Sequence, residues 1–458
     1  MRHYARSRAW CEWEEFDTWQ PRALAALSDP DVAALSPFPL LSLPGITALH
    51  QGEFARRWMA DRIQASSADR AVLAAEFKAH AMTRVDAPHD KIRIGYLSND
   101  FHEHATSLLM VEMLESHDRG QFELHAYSYG ADDGRGMRQR VSKPFKRFTD
   151  ITTLSDVAAA RAIHADEIDI LVDLKGYTAG TRTALLTYRP APLQVSYLGY
   201  PGTLGGRFCD YLVSDGFVTP IDVAGEYTEA LARMPHSYQP HGRCGEIGEA
   251  PSRSAAGLPD EGLVLCCFNQ AWKFTPEVFD IWCALLVRAP GSVLWLLRSA
   301  HAEGNLRREA MQRGVEPHRL VFAEDLPQAE HLGRLQLADL VLDTLPYNAH
   351  TTASDALWAG VPIITCAGKT FASRVAGSLL RAVGLPELIT DSLADYAALA
   401  ADLVADRPRR LALRTKLARQ RLVAPLFDVA AYTRGLEALY MQMWRRHLDG
   451  LPPQALGE

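Results

Sequence analysis

The sequence predicts an α/β protein made of two doubly wound, Rossmann-like domains behind a helical N-terminal segment. Two features carry that expectation. Short apolar runs alternate with amphipathic helical stretches in two successive series, and a stretch rich in Gly, Pro, Ser and Arg separates the series. Runs such as DILVDL and DLVLDT are apolar without alternation, which suits parallel strands covered on both faces.

In residues 1–85 the spacing of Trp10, Trp13, Phe16 and Trp19, and then of Phe54, Trp58, Ile63, Leu73 and Phe77, is helical, and these stripes are expected in a core. No segment recurs at the period of a helical repeat array. Residues 86–245 form the first α/β series, with strands at KIRIGYLSNDF, FELHAYSYG, DEIDILVDLKGYT, APLQVSYLGYPG and DYLVSDGF. Helical stretches such as Leu108 to Leu114 and Val157 to Ile163 lie between them. Tyr238 to Asp260 reads as a linker. Residues 246–458 hold the second series, with strands at GLVLCCFNQ, SVLWLLRS, RLVFAED, DLVLDT and PIITCA. There Thr275-Pro276-Glu277 opens a helix with a capping hydroxyl, a proline at the first position and an acid in the first turn. The chain ends on helical stretches, the last an amphipathic run around Tyr432 to Trp444. Two such domains joined by a linker place a cleft between the carboxyl ends of their strands.

With 458 residues, 48% of them hydrophobic, the chain can bury a large core. A net charge of -7 provides no global field for nucleic acid or anionic membrane, so any phosphate site must be local. No window approaches a membrane span, and MRHYARSRAW lacks the apolar centre of an export signal. The seven cysteines form no CxxC pairs, and a reducing cytoplasm is the expected location.

The stretch ADLVLDTLPYNAHTTASDALWAGVPIIT orders a buried strand, a polar turn, a helix opening on His350-Thr351-Thr352 and another strand. The first N–H groups of such a helix have no intrahelical partner and carry the positive end of its dipole, which suits a phosphate. Asp355 lies near enough to accept from a ribose. Phe268-Asn269-Gln270-Ala271-Trp272-Lys273 directly follows the first strand of the second series, and Lys273 is the candidate cation for a diphosphate, with Gln270 a second donor. His331 opens a helix that also carries Arg334, and its ring can stack on a planar base.

In the first series, Asp100-Phe101-His102-Glu103-His104 precedes a helix whose expected cap is Thr106 or Ser107. The two histidines lack HExxH spacing and no further ligand set accompanies them, so no metal is expected. Neutral imidazole there suits a hydrogen-bonding group or a base. Asp173 and Lys175 end one strand before Gly176-Tyr177-Thr178, and Leu198-Gly199-Tyr200-Pro201-Gly202-Thr203 ends another in a glycine-rich loop that lets backbone approach a ligand. Neither a GxGxxG fingerprint nor a Walker sequence occurs. A DxD at Asp29-Pro30-Asp31 falls in the helical segment, away from any diphosphate loop.

Taken in order, DFHEHATS, DLKGYTAG, RPAPLQVSYLGYPGT, CCFNQAWK, LPQAEH, LQLADLVLDTLPYNAHTTASDALWAG, GKTFASRVA and PLFDVAAYTRGLEALYMQMW resemble the catalytic region of the O-linked N-acetylglucosamine transferase family. The resemblance runs from about Cys11 to Trp444 and is specific as a combination. It implies a GT-B glycosyltransferase that moves N-acetylglucosamine from UDP-N-acetylglucosamine to Ser or Thr of a protein or peptide, inverting and metal-independent, with no cofactor. By position it assigns His331 to the uridine base, Asp355 to ribose, and Gln270, Lys273, Thr351 and Thr352 to the diphosphate, with Arg334 counted among the UDP-binding residues. It turns His350, Thr178, Leu198, Gly199, Tyr200 and Pro201 to the sugar, and makes His104 the active-site histidine. His104, Asp173 or a donor phosphate oxygen is left as the proton acceptor. Family members usually carry a long tetratricopeptide array before this region, where only residues 1–85 stand here, so acceptor recognition is open. Oligomeric state is likewise open. Gln328 stands where some relatives have Lys. The competing readings are transfer of glucose or another hexose to Asn, and a UDP-binding scaffold without turnover.

Overall fold

The computed structural model describes residues 2–29, 36–83, 90–242 and 245–457. Two parallel sheets form. The first has seven strands, β1 (Ile92–Ser98), β2 (Phe122–Ser128), β3 (Arg147–Asp150), β4 (Ile170–Asp173), β5 (Leu193–Ser196), β6 (Tyr211–Asp215) and β7 (Ala230–Met234), in the order β3-β2-β1-β4-β5-β6-β7. The second has six, β8 (Val264–Cys267), β9 (Val293–Leu297), β10 (Leu320–Ala323), β11 (Leu340–Leu342), β12 (Ile363–Cys366) and β13 (Ile389–Thr390), ordered β10-β9-β8-β11-β12-β13. Every strand pair is parallel, with Ile94 opposite Ile170 in the first sheet and Val341 opposite Cys266 in the second. The strand order therefore reverses between β1 and β4, and between β8 and β11. At such a reversal, crossovers leave for opposite faces and the carboxyl-end loops part to admit a ligand.

The two-series expectation holds, with three short strands added. β3, with its burial pattern running from exposed to half-buried, and the two-residue β13 give little apolar signal, and β7 (ALARM) contains an arginine. Sequence patterning misses all three for that reason.

Packing divides the chain otherwise than at residues 85 and 245. One compact unit comprises the described residues of Met1–Val32, Pro39–Thr47 and Arg243–Phe427; the other comprises those of Ala33–Phe38, Ala48–Gly242 and Asp428–Glu458. The first helices join the second-sheet unit because Trp13 packs edge-on against Phe279 at 5.3 Å and Arg8 Nη2 donates to Trp272 O at 2.9 Å. The final helix, Val429–Leu448, joins the first-sheet unit, where Glu437 meets the His117 ring at 3.0 Å and Tyr440 meets Tyr96 at 3.4 Å. The expected break at 85/86 lies outside the described residues, as do Pro30 and Asp31 of the DxD. The Tyr238 to Asp260 stretch is not an open tether: Tyr238 and Leu258 are core residues, and Gly248 N donates to Ala329 O at 2.9 Å.

Of the N-terminal aromatic stripes, Trp13, Phe54 and Leu73 are buried, while Trp58 is half-buried beneath the Arg62 guanidinium. Among the described residues no helix is long and apolar enough to cross a membrane.

Candidate active site

In the second sheet, β8 runs into Phe268, Asn269 and Gln270 and then a short helical turn, Ala271–Lys273, while β11 leads through Asp343 to the helix Thr351–Trp358. The turn folds Lys273 back into the protein. Its ammonium is buried; Nζ donates to Asn348 O at 2.9 Å, lies 3.5 Å from Asn269 Oδ1 and sits 4.2 Å from the Tyr347 ring centroid. Among the described residues it forms no ion pair with a carboxylate. Burial pushes its pKa down to about 8, opposed by the Asp343 charge. Burial likewise raises Asp343 to about 6, although the carboxylate accepts from Thr365 Oγ1 and Ala349 N at 2.6 Å each and from Thr344 N at 2.7 Å. A desolvated ammonium with mainly neutral contacts is a counter-charge ready for an anion.

The Thr351–Trp358 helix begins beside it. Ala353 N and Ser354 N both reach His350 O at 3.1 Å, whereas the N–H groups of Thr351 and Thr352 find no acceptor among the described residues. Thr352 Oγ1 donates to Asn269 Oδ1 at 2.7 Å, and Asn269 Nδ2 donates to Thr344 Oγ1 at 2.9 Å, so the helix start is tied to both switch-point loops. His350 stacks on Tyr347 at 4.7 Å and donates from Nε2 to Ala372 O at 3.1 Å. Burial and the Lys273 charge hold its pKa well below the ordinary value. The ring is therefore neutral, and Nδ1 is an acceptor.

Asp355 lies on the next turn and is 6% exposed. It accepts from Gln328 Nε2 at 3.1 Å, and burial raises its pKa to about 7. One neutral donor leaves a carboxylate with capacity for more, which a pair of ribose hydroxyls can fill. His331 is half-buried next to Phe268, and its Nδ1 accepts from Arg334 Nη2 at 2.9 Å. Burial, with the Arg334 charge, lowers its pKa to about 4. A small cavity lined by Cys267, Phe268, Asn269, His331, Ala349 and Thr352 adjoins these groups. Arg334 itself is buried, lies 4.8 Å over the Phe268 ring and donates to Glu324 O, so it orients His331. Gln270 is exposed at the rim.

The first sheet gathers its candidates at its own switch point. Lys175 Nζ bridges both Asp100 oxygens at 3.0 and 2.9 Å, a buried pair joining the loops after β4 and β1. The helix cap is His104 rather than Thr106 or Ser107. Its Nδ1 accepts from Thr106 N at 3.2 Å at the head of the Ala105–Glu115 helix, while Ser107 Oγ is turned to Asp100 O at 2.6 Å. Residue types named a hydroxyl cap, but a backbone-facing imidazole nitrogen fills the same role. Burial lowers the pKa of His104, with Asp100 opposing and Lys175 and His102 adding to the fall. Because Nδ1 must keep its lone pair for the cap, the proton of the neutral ring sits on Nε2, on the half-exposed side chain.

Asp173 is 1% exposed, and its oxygens accept from Lys175 N, Gly176 N and Thr183 Oγ1 at 3.0, 3.1 and 3.3 Å. Burial still raises its pKa to about 6. It shapes the Lys175–Thr178 turn, which Thr178 Oγ1 closes on Lys175 O at 2.9 Å. Gly199 is required there: a Cβ would stand 1.9 Å from Leu174 O. Leu198 before it adopts a left-handed φ of 68°, a conformation that non-glycine residues rarely take. Tyr200 and Pro201 are buried, with the Tyr200 ring edge-on to Tyr177 at 5.2 Å, so they support the loop from beneath. His102 Nδ1 lies 3.8 Å from Asp133, and among the described residues no three His, Cys, Asp or Glu side chains gather as a metal site.

Asn269, Asp343, Tyr347 and Asn348 were not singled out as site residues by sequence reasoning. Asp343 had a usable signal: it is the polar residue that terminates an apolar central strand.

The pattern that defines glycosyl transferase family 41 matches residues 51–241 and 248–436. A probable UDP-N-acetylglucosamine-peptide N-acetylglucosaminyltransferase SEC of Arabidopsis thaliana is 41% identical over 372 residues, 80% of this chain and 38% of its own length. A UDP-N-acetylglucosamine-peptide N-acetylglucosaminyltransferase of Caenorhabditis elegans is 30% identical over 79% of this chain and 41% of its own. The chain thus spans about 40% of the length of these relatives. Among solved structures, a mutant of Thermobaculum terrenum O-GlcNAc transferase superposes with a TM-score of 0.74 at 29% identity, covering 88% of this chain and 84% of that one. Anabaena HepE in complex with UDP, 13% identical with a TM-score of 0.54 over 77% of this chain and 100% of its own, shares the fold.

Proposed function

The chain belongs to glycosyl transferase family 41, and on that premise we propose that it transfers N-acetylglucosamine from UDP-N-acetylglucosamine to Ser or Thr hydroxyls of protein or peptide acceptors, with inversion and without a metal ion. One observation carries the reading. At the switch point of the second sheet stand a buried ammonium and two helix-start N–H groups that, among the described residues, have no carboxylate partner and no acceptors respectively, and beside them an underbonded carboxylate, the complement of a nucleoside diphosphate.

In this reading His331 meets the uracil, with Nε2–H as a donor because Arg334 occupies Nδ1. Asp355 accepts from the ribose, and Thr351 and Thr352 hold the phosphates. Attack of the acceptor hydroxyl on the anomeric carbon, in line with the departing diphosphate, inverts that carbon. The charge that develops on the leaving UDP is taken by Lys273 and the helix terminus, the work a metal ion performs elsewhere. His104 presents Nε2–H, so it donates a hydrogen bond to a reacting oxygen. The oxygens of Asp173 are engaged in its own loop. The proton of the acceptor hydroxyl accordingly passes to a phosphate oxygen of the donor.

Titrating UDP and UDP-N-acetylglucosamine into the wild type and Lys273→Met tests the donor site. Micromolar-range binding weakened strongly in the variant supports it, and equal affinity in the two proteins refutes it.

A further inference from the structure

The second-sheet unit holds a second concentration of positive charge at the opposite end of its strands. Asp339 marks the place: its N–H donates to Val264 O at 2.8 Å and its Oδ2 accepts from Val264 N at 2.9 Å, at the amino-terminal starts of β8 and β11. Lys273 and Asp343 lie beyond the carboxyl ends of the same strands. A cavity of about 240 Å³ opens at Asp339, lined by Arg253, Arg407, Arg410 and Arg414 together with Gln336. Four guanidiniums thus face one carboxylate, in a chain whose net charge is -7. Three of the four come from the helix Arg407–Val423, RPRRLALRTKLARQRLV, which contains no acidic residue.

Three of the four arginines are held in place. Arg253 Nη1 donates to Gly262 O at 2.8 Å and its Nη2 lies 3.7 Å from Asp339; Arg410 Nη1 donates to Val404 O at 2.8 Å; Arg414 Nη2 donates to Ala338 O. Each backbone bond uses part of a five-donor fork and leaves the remainder unengaged. Arg407 is exposed and makes no hydrogen bond or ion pair among the described residues. Burial holds Arg410 and Arg414 below their ordinary pKa; Asp339 opposes this, a neighbouring arginine adds to it in each case, and Asp406 opposes it weakly at Arg410. Donors fixed in advance, with more positive charge than the single carboxylate can match, are what a compact oxyanion needs. Among the lining residues the positive charges exceed the negative by three, closer to the charge of a diphosphate than to that of a single phosphate.

We propose that this cavity binds a small soluble anion with two linked phosphoryl groups, at a site separate from the donor nucleotide. The proposal does not depend on the reading of the donor site. Calorimetric titration of the full chain with inorganic pyrophosphate, in metal-free buffer with saturating UDP, tests it. One equivalent should bind, and Arg407→Gln and the Arg253→Gln/Arg407→Gln pair should weaken it by about tenfold or more while UDP affinity and the melting temperature stay unchanged. If UDP displaces the pyrophosphate, if both variants bind it like wild type, or if none binds, the site is refuted. Orthophosphate binding equally well overturns the requirement for two linked groups. Co-sedimentation with phosphatidylcholine vesicles containing phosphatidic acid, uncompeted by pyrophosphate, would assign the arginines to a lipid headgroup and overturn the soluble ligand.

Discussion

Arg334 donates from Nη2 to His331 Nδ1 at 2.9 Å, and this bond decides which ring nitrogen carries the proton. With burial and the adjacent guanidinium lowering its pKa to about 4, His331 is neutral and protonated at Nε2 throughout the working range. Nitrogen-15 NMR should show the Nε2–H tautomer from pH 6 to 9. In Arg334→Met the pKa should rise toward its ordinary value and UDP should bind more weakly by roughly 1 kcal/mol. An unchanged His331 spectrum in that variant would contradict the positioning role.

On the proposed reading, Asp355 trades stability for binding. Its folded pKa of about 7 stands above the reference value of 3.8, so its contribution to stability is full below about pH 4 and is lost as pH rises through 7. The gap sets an upper bound of roughly 4 kcal/mol. At pH 8, Asp355→Asn should therefore melt higher than wild type, yet bind UDP about tenfold more weakly through the loss of charged hydrogen bonds to ribose. A variant that melts lower at pH 8 would contradict the assigned burial cost.

In the proposed transfer Lys273 must be charged to stabilise the leaving group, and burial has brought its pKa to about 8. The profile of kcat/KM should fall as pH rises through that region. Lys273→Met should lower kcat by roughly 10²- to 10³-fold, the usual effect of removing one preorganised charge-stabilising group. Retention of wild-type kcat by the methionine variant would rule the ammonium out.

The two sheets were legible because β4, β8 and β11 are short uninterrupted apolar runs, β4 ending on Asp173 and β11 leading directly into Asp343, whereas the order of the strands was not. That the residues after β8 and β11 come together was legible for the same reason, since a doubly wound fold puts them at the switch point. Pairings distant in sequence were not. Nothing local joins Lys175 to Asp100 or Gln328 to Asp355, and no pattern in residues 1–85 shows that Trp13 packs on Phe279. The His104 cap was hidden because residue-type preferences favour the hydroxyls beside it.

His104 caps its helix through Nδ1 and, in the proposed mechanism, donates through Nε2. His104→Asn keeps a capping oxygen and should retain the melting temperature, whereas His104→Ala should lose about 1 kcal/mol of stability. Both should lower kcat. Equal stability in the two variants would contradict the cap, and undiminished turnover in both would contradict the donor.

The chemistry itself is read most directly by mass. Incubating the protein with UDP-N-acetylglucosamine or UDP-glucose and a peptide library, then locating the modification by electron-transfer fragmentation, should reveal N-acetylhexosamine on Ser or Thr, absent with Lys273→Met. Hexose on Asn, or tight UDP binding with no transfer across the library, would contradict the account.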